Sequence, residues 1–279
     1  MHLGVYIFPT DYSMQPVELA VALEERGIES LFVPEHTHIP VSRRTPWPGG
    51  GPLPKEYSHT HDPFVALSFA AAATKNLTLG TAISLLPQRD AIVTAKAVAS
   101  LDMLSGGRFV LGVGAGWNQD EMENHGVVYA DRFKLMEEKI QAMQAIWTQE
   151  EAAFHGEQVQ FGPMWSYPKP VQKPHPPVIL GGETKFTMRR IVKYCDGWLP
   201  RARHHYDVLA GVSQLSQIAA EEGRDMSTVQ VNVFGASADA DLLKSYRDAG
   251  ITRSILPLPS ETADTILPRL DRYAELLHS

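Results

Sequence analysis

One cysteine, Cys195, stands among the 279 residues. An intramolecular disulfide is therefore excluded, and a zinc site built on cysteine would lack ligands. Positive charge is also scarce. The 25 Lys and Arg are outnumbered by 32 Asp and Glu, for a formal net charge of −7. Without a broad basic field, nothing is on offer to hold nucleic acid or an anionic membrane surface. An anionic small molecule would need a local seat of Arg side chains or backbone N–H groups. No run approaches the ~18 apolar residues of a membrane span. The opening MHLGVYIF has no basic region ahead of a long apolar stretch, so the cytoplasm is the expected location. Catalytic signatures are missing too. There is no G-x-S-x-G nucleophile elbow, no G-x-x-x-x-G-K-[ST] phosphate loop and no adjacent carboxylate pair at a strand end. A site poor in its own reactive groups suits an enzyme whose cofactor performs the hard step.

What is present is an alternation of short β-branched runs with longer helical patterns. Strands are expected at Leu3–Phe8, Ser30–Glu35, Leu77–Ser84, Phe109–Gly116, Val178–Gly182, Trp198–Pro200, Val229–Gly235 and Ser254–Pro257. A helical pattern follows each. Examples are Gln15–Arg26, with Pro16 in its first turn and Gly27 as its stop, and Pro63–Lys75, with Asp62 as N-cap. The helix Asp131–Thr148 has an apolar stripe through Phe133, Met136, Ile140, Met143 and Ile146 or Trp147. Runs such as FVLGVG and VILGG are apolar on both faces, as covered parallel strands should be. Eight such units fit a closed (β/α)8 TIM barrel better than an open doubly wound sheet. Roughly 250 residues is a usual length for such a barrel, and residues 1–279 read as one domain. Two insertions interrupt the repeat: a long loop after strand two, and a hairpin and loop over 150–175, before strand five.

Barrel chemistry collects where the strands end, so the residues there are the candidates. After strand two come Glu35 and His36, then a Pro/Gly-rich segment to Asp62, long enough to be a lid or binding loop. His36, His38, His59 and His61 form two His-X-His pairs that invite a metal reading. No Asp or His cluster follows at later strand ends to complete a set, so ordinary loop polarity is favoured. After strand four, Gly114-Ala115-Gly116 lets a planar ligand or phosphate approach the backbone. After strand five, Gly181-Gly182-Glu183-Thr184 opens a helix with bare amides, a phosphate seat. Arg201, Arg203, His204 and His205 follow strand six and add positive charge. Together they suggest a phosphate-bearing cofactor lying across strands five and six.

These stretches resemble the luciferase-like monooxygenase superfamily, in its branch of oxidoreductases that use the 8-hydroxy-5-deazaflavin coenzyme F420. The resemblance runs nearly end to end. It is carried by SLFVPEHTHIP, by LTLGTAISLLPQRDAIVTAKAVASLDMLSGGRFVLGVGAGWNQDEM and by PKPVQKPHPPVILGGETKFTMRRIVKYCDGWLPR. It implies a hydride transfer between F420 and a small organic substrate, with His36, preceded by Glu35, as the catalytic pair beside the ring. It implies a non-prolyl cis peptide at Ala82–Ile83, next to Thr81, behind the ring, and the ring edge near Gly114, Ala115 and Gly116. The phosphate maps to Gly181, Gly182 and Glu183, with Arg201 and His204. Where sugar-phosphate dehydrogenases of the family carry a catalytic Glu, this chain has Trp117. With Trp47 on the long loop, that favours a flat or apolar substrate. The resemblance also implies a homodimer. The alternatives are an FMN-dependent monooxygenase on the same fold, a metal-dependent barrel hydrolase and a cofactor-binding protein without catalysis.

Overall fold

In the computed structural model, which describes residues 1–202 and 206–278, the chain closes into a barrel of eight parallel strands. In chain order the barrel strands are β1 (His2–Tyr6), β2 (Ser30–Val33), β3 (Thr78–Thr81), β5 (Phe109–Gly114), β8 (Val178–Gly181), β9 (Gly197–Leu199), β10 (Gln230–Phe234) and β11 (Arg253–Pro257). Each pairs with the next in that order, and β11 pairs back onto β1. A two-residue strand, β4 (Ser84–Leu85), adds to β5 beyond the point where β3 leaves it. The expected strand Leu77–Ser84 is thus two pieces, broken where a cis peptide joins Ala82 to Ile83. Around the barrel run α1 (Pro16–Glu25), α2 (Pro63–Ala73), α3 (Ala91–Ser105), α5 (Arg132–Thr148), α6 (Lys185–Tyr194), α7 (Val208–Glu221), α8 (Ala240–Asp248) and α9 (Ala263–Glu275). The expected hairpin is β6 (Ala152–His155) paired antiparallel with β7 (Gln160–Met164). One α-helix was not expected: α4 (Gln119–Asn124), six residues between β5 and α5.

Strands buried on both faces must satisfy two cores at once. One face of β5 packs outward: Phe109, Leu111 and Val113 join the helix layer, where Met136, Ile140, Met143 and Ile146 of α5 are also buried. The other face fills the barrel, where Val110 meets Phe32, Ile179 and Ile255. Phe32 fits because its partner on the adjacent strand β3, Gly80, has no side chain. A Cβ on Gly80 would lie 2.2 Å from the Phe32 ring. At the amino-terminal end the barrel is closed by polar groups instead. Arg253 forks onto Glu29 at 2.8 and 2.7 Å and donates to Asn232 Oδ1 at 2.6 Å. Burial pushes the Glu29 carboxyl up, but Arg253 outweighs it and the net shift is downward. This pair therefore contributes fully above the ordinary carboxylate range and is lost as the pH falls through the lowered value.

The starts of α2, α3, α6, α7 and α8 are capped by short polar side chains. Asp62 Oδ1 accepts from the amides of Phe64 and Val65 at 2.9 and 3.0 Å, satisfying two donors that the first turn of α2 leaves bare. Its other oxygen accepts from Arg89 Nη2 at 2.6 Å. Asp62→Ala is expected to cost about 1 kcal/mol, lowering Tm by roughly 2–4 °C in a domain of this size. Asp62→Asn, which keeps the cap and drops the charge, should recover most of that. Thermal melts of the two variants check it.

Candidate active site

A cavity of about 420 Å³ opens at the carboxyl ends of the barrel strands, within the range of small-molecule sites. Its floor is Ala82 and Ile83, which continue the apolar cluster inside the barrel. Ile83 occupies the middle because its neighbours are glycines. A Cβ on Gly114 would lie 2.1 Å from Ile83 Cδ1, and one on Gly181 would lie 3.3 Å from Ile83 Cγ2. Gly114, Ala115 and Gly116 form the adjoining rim. The floor therefore presents backbone and one flat aliphatic side chain, a surface suited to a planar ring.

His36 enters from the end of β2, and its ring is nearly buried. Its Nδ1 lies 2.8 Å from Glu121 Oε2 on α4. The ring is boxed by aromatics: Tyr57 at 5.1 Å and Trp117 at 5.8 Å between centroids. With Nδ1 committed, Nε2 is the ring atom left for a ligand. Glu35, one residue earlier, also lines the cavity, but both its oxygens are engaged. Oε2 accepts from Ser84 Oγ at 2.8 Å and from the Leu85 amide at 2.7 Å. Oε1 accepts from Arg89 Nε at 2.5 Å. Glu35 thereby holds the two residues that follow the cis peptide, so its geometry is that of a group fixing the floor. Tyr6 lines the cavity as well. Burial first, then nearby Tyr57, Tyr273 and Glu56, push its phenol up to about 12, so it stays protonated and keeps an O–H to donate near neutral pH.

The opposite side of the cavity is the turn after β8. Gly182 has φ +124°, a conformation that favours glycine. Thr184 caps α6 by accepting from the Thr187 amide at 3.1 Å. Both threonines line the cavity, so the first turn of α6 faces it. Arg201, after β9, forks onto Glu183 at 2.8 and 2.6 Å. The Arg201 side chain keeps 43% of its surface exposed and lines the cavity, so an anion can still approach it. His204, with Arg203 and His205, lies outside the described residues.

Two of the sequence candidates sit elsewhere. Thr81 is fully buried below the floor and donates to the Gly112 carbonyl at 2.7 Å. It supports the strand pair and does not line the cavity. Trp47 is not in the lining either; it backs Tyr57, with centroids 6.0 Å apart. Phe133 moves in the other direction. The period of α5 placed it on the core stripe, but it is 36% exposed and lines the cavity, with Arg190 stacked 4.8 Å from its ring. Tyr57 and Glu121 were missed. Tyr57 belongs to the long loop, whose composition carries no period. Glu121 lies in a helix of six residues, too short for a periodic signal. Of the loop histidines, His38 contacts Thr37 and Asn124, and His59 contacts Asp11. Among the described residues no three of His, Cys, Asp and Glu gather as a metal-binding set. No helix among them is long and apolar enough to cross a membrane.

The model of a family described as luciferase-like monooxygenase matches residues 11–250. The chain belongs to that family. Its luciferase-like relatives include an uncharacterized protein of Mycobacterium tuberculosis, 40% identical over 281 residues, covering 99% of each chain. An FMNH2-dependent dimethylsulfone monooxygenase of Pseudomonas putida is 30% identical over 173 residues, 61% of this chain and 47% of that one. Among solved structures, an F420-dependent secondary alcohol dehydrogenase in complex with an F420–acetone adduct superposes with a TM-score of 0.77 at 16% identity. That likeness covers 99% of this chain and 97% of the other, and it extends to the fold alone. An FMNH2-dependent enzyme thus stands among this chain's sequence relatives and an F420-dependent one among the proteins that share its fold.

Proposed function

We propose that this luciferase-like enzyme is an oxidoreductase that transfers a hydride between coenzyme F420 and a small organic substrate. One observation carries the reading. The cavity combines a flat floor at Ala82–Ile83 with a single imidazole, His36, whose Nε2 has no hydrogen-bond partner among the described residues, while Glu35, Glu183 and Arg201 are all engaged. Such a site can move one proton but has no redox group of its own.

The residues present fit the coenzyme. Gly114 and Gly181 leave the floor bare where a Cβ would fill it, and Gly182 with the first turn of α6 offers amides to a phosphate. The deazaflavin, when bound, supplies hydride chemistry at its C5. Everything else falls to the chain. Ala82, Ile83 and the Gly114–Gly116 rim bear on the ring. The amides of Gly181, Gly182 and Glu183 and the side chain of Arg201 hold the charged portion. His36 holds or releases the proton that accompanies the hydride, and Tyr57, Trp117 and Phe133 keep water from the substrate side.

Titration with F420 and with FMN, following tryptophan fluorescence, tests the choice, since Trp117 lines the cavity. F420 is expected to quench saturably at concentrations where FMN does not. The reverse order would replace this reading with an FMN-dependent monooxygenase.

A further inference from the structure

The histidine at the centre of the site is held by a group that no sequence motif singles out. Glu121 is fully buried. Its Oε2 meets His36 Nδ1 at 2.8 Å, and its Oε1 has no hydrogen-bond partner among the described residues. A buried carboxylate with so little compensation is costly, so its one strong contact matters. Glu35 is adjacent to His36 in sequence, yet its oxygens are taken by Ser84, Leu85 and Arg89. Helix α4, which carries Glu121, is itself fastened. Asp120 accepts from Ser42 Oγ at 2.6 Å, from the Arg44 amide at 3.0 Å and from Thr45 Oγ1 at 3.2 Å.

We propose that Glu121 is a positioning residue that fixes the tautomer of His36. This rests on the oxidoreductase reading for its consequence, though not for its geometry. An ionised carboxylate only accepts, so the hydrogen between the two residues is on Nδ1. In the neutral ring, Nε2 then carries the lone pair and faces the ligand side as a proton acceptor. When Nε2 takes a proton, the resulting cation stands beside a carboxylate. Without Glu121 the other tautomer competes, and Nε2–H cannot accept a proton from substrate.

Nitrogen-15 NMR of the imidazoles in the full, cofactor-free chain reads this directly. The His36 signal is identified by its loss in His36→Ala, and the pH is set where the ring is neutral. Wild type is expected to show a protonated Nδ1 and a bare Nε2. Finding the proton on Nε2 in wild type overturns the proposal, whatever happens to any variant. Glu121→Leu should shift the signal towards the Nε2–H form. It should lower kcat by about 10–100-fold, the scale set by loss of the partner that orients a metal-bound histidine, with F420 affinity nearly unchanged. A folded Glu121→Leu protein with the wild-type nitrogen pattern also overturns it. If the tautomer is as stated but F420 does not bind, the cofactor assignment fails and the positioning role stands.

Discussion

His36→Ala is expected to lower kcat by about 10²–10⁴-fold, the usual contribution of a positioned general acid–base group, equivalent to roughly 3–5 kcal/mol of barrier. The F420 dissociation constant should change little, because the bulk of the proposed cofactor contact is with backbone at Ala82–Ile83, Gly114–Gly116 and Gly181–Gly182. The ring's neighbours argue for this separation. Tyr57 and Trp117 pack on His36 at 5.1 and 5.8 Å, so the aromatic wall has members that remain when the imidazole is removed. Stopped-flow measurement of hydride transfer between F420 and the small organic substrate that wild type turns over best, alongside a fluorescence titration of the cofactor, measures both quantities. Loss of cofactor binding in step with kcat would make His36 a binding residue. Undiminished turnover would remove it from the chemistry.

The barrel was legible because its signal is repeated. Each parallel strand is an apolar run with covered faces, and many helix starts carry a capping side chain or a first-turn proline, so Asp62 and Pro16 could be placed from sequence. Errors cluster where local rules compete with the site. The run Leu77–Ser84 reads as one strand by composition, but the chain turns at Ala82–Ile83 to make the cavity floor. Phe133 obeys the helical period and yet faces the cavity, because α5 begins beside the site where no core lies under its first turn. Glu121 was invisible for a different reason. A carboxylate in an acidic segment, QDEMEN, reads as solvated charge, and only tertiary structure brings it to His36 from 85 residues away. Resemblance placed the cis peptide, His36 and the glycine turns. It did not anticipate that Glu35 would be tied to the floor or that Trp47 would stand one layer back.

The largest structural effect is expected at a glycine beneath that floor. On β5, Gly112 lies against β3 so closely that an added Cβ would sit 1.9 Å from the Thr81 carbonyl oxygen and 3.0 Å from its carbonyl carbon. Neither atom can swing away as a side-chain tip would, and Thr81 Oγ1 already donates to the Gly112 carbonyl at 2.7 Å. The two strands must separate at the seam that closes this side of the barrel, and Thr81 is bonded to the Ala82 on which the floor depends. Gly112→Ala is therefore expected to cost about 3 kcal/mol, the upper end for an overpacked core, lowering Tm by roughly 6–12 °C. It should also weaken F420 binding, since the displaced backbone carries Ala82 and Ile83 with it. Gly162→Ala, on the peripheral strand β7 where a Cβ would meet nothing within 4 Å, is the matched control and should stay within about 0.5 kcal/mol of wild type. Parallel melts and cofactor titrations of the two variants separate a glycine required by close strand contact from one that is merely tolerated. Equal stability of the two would mean that the seam can open without cost, and that the floor is softer than its packing implies.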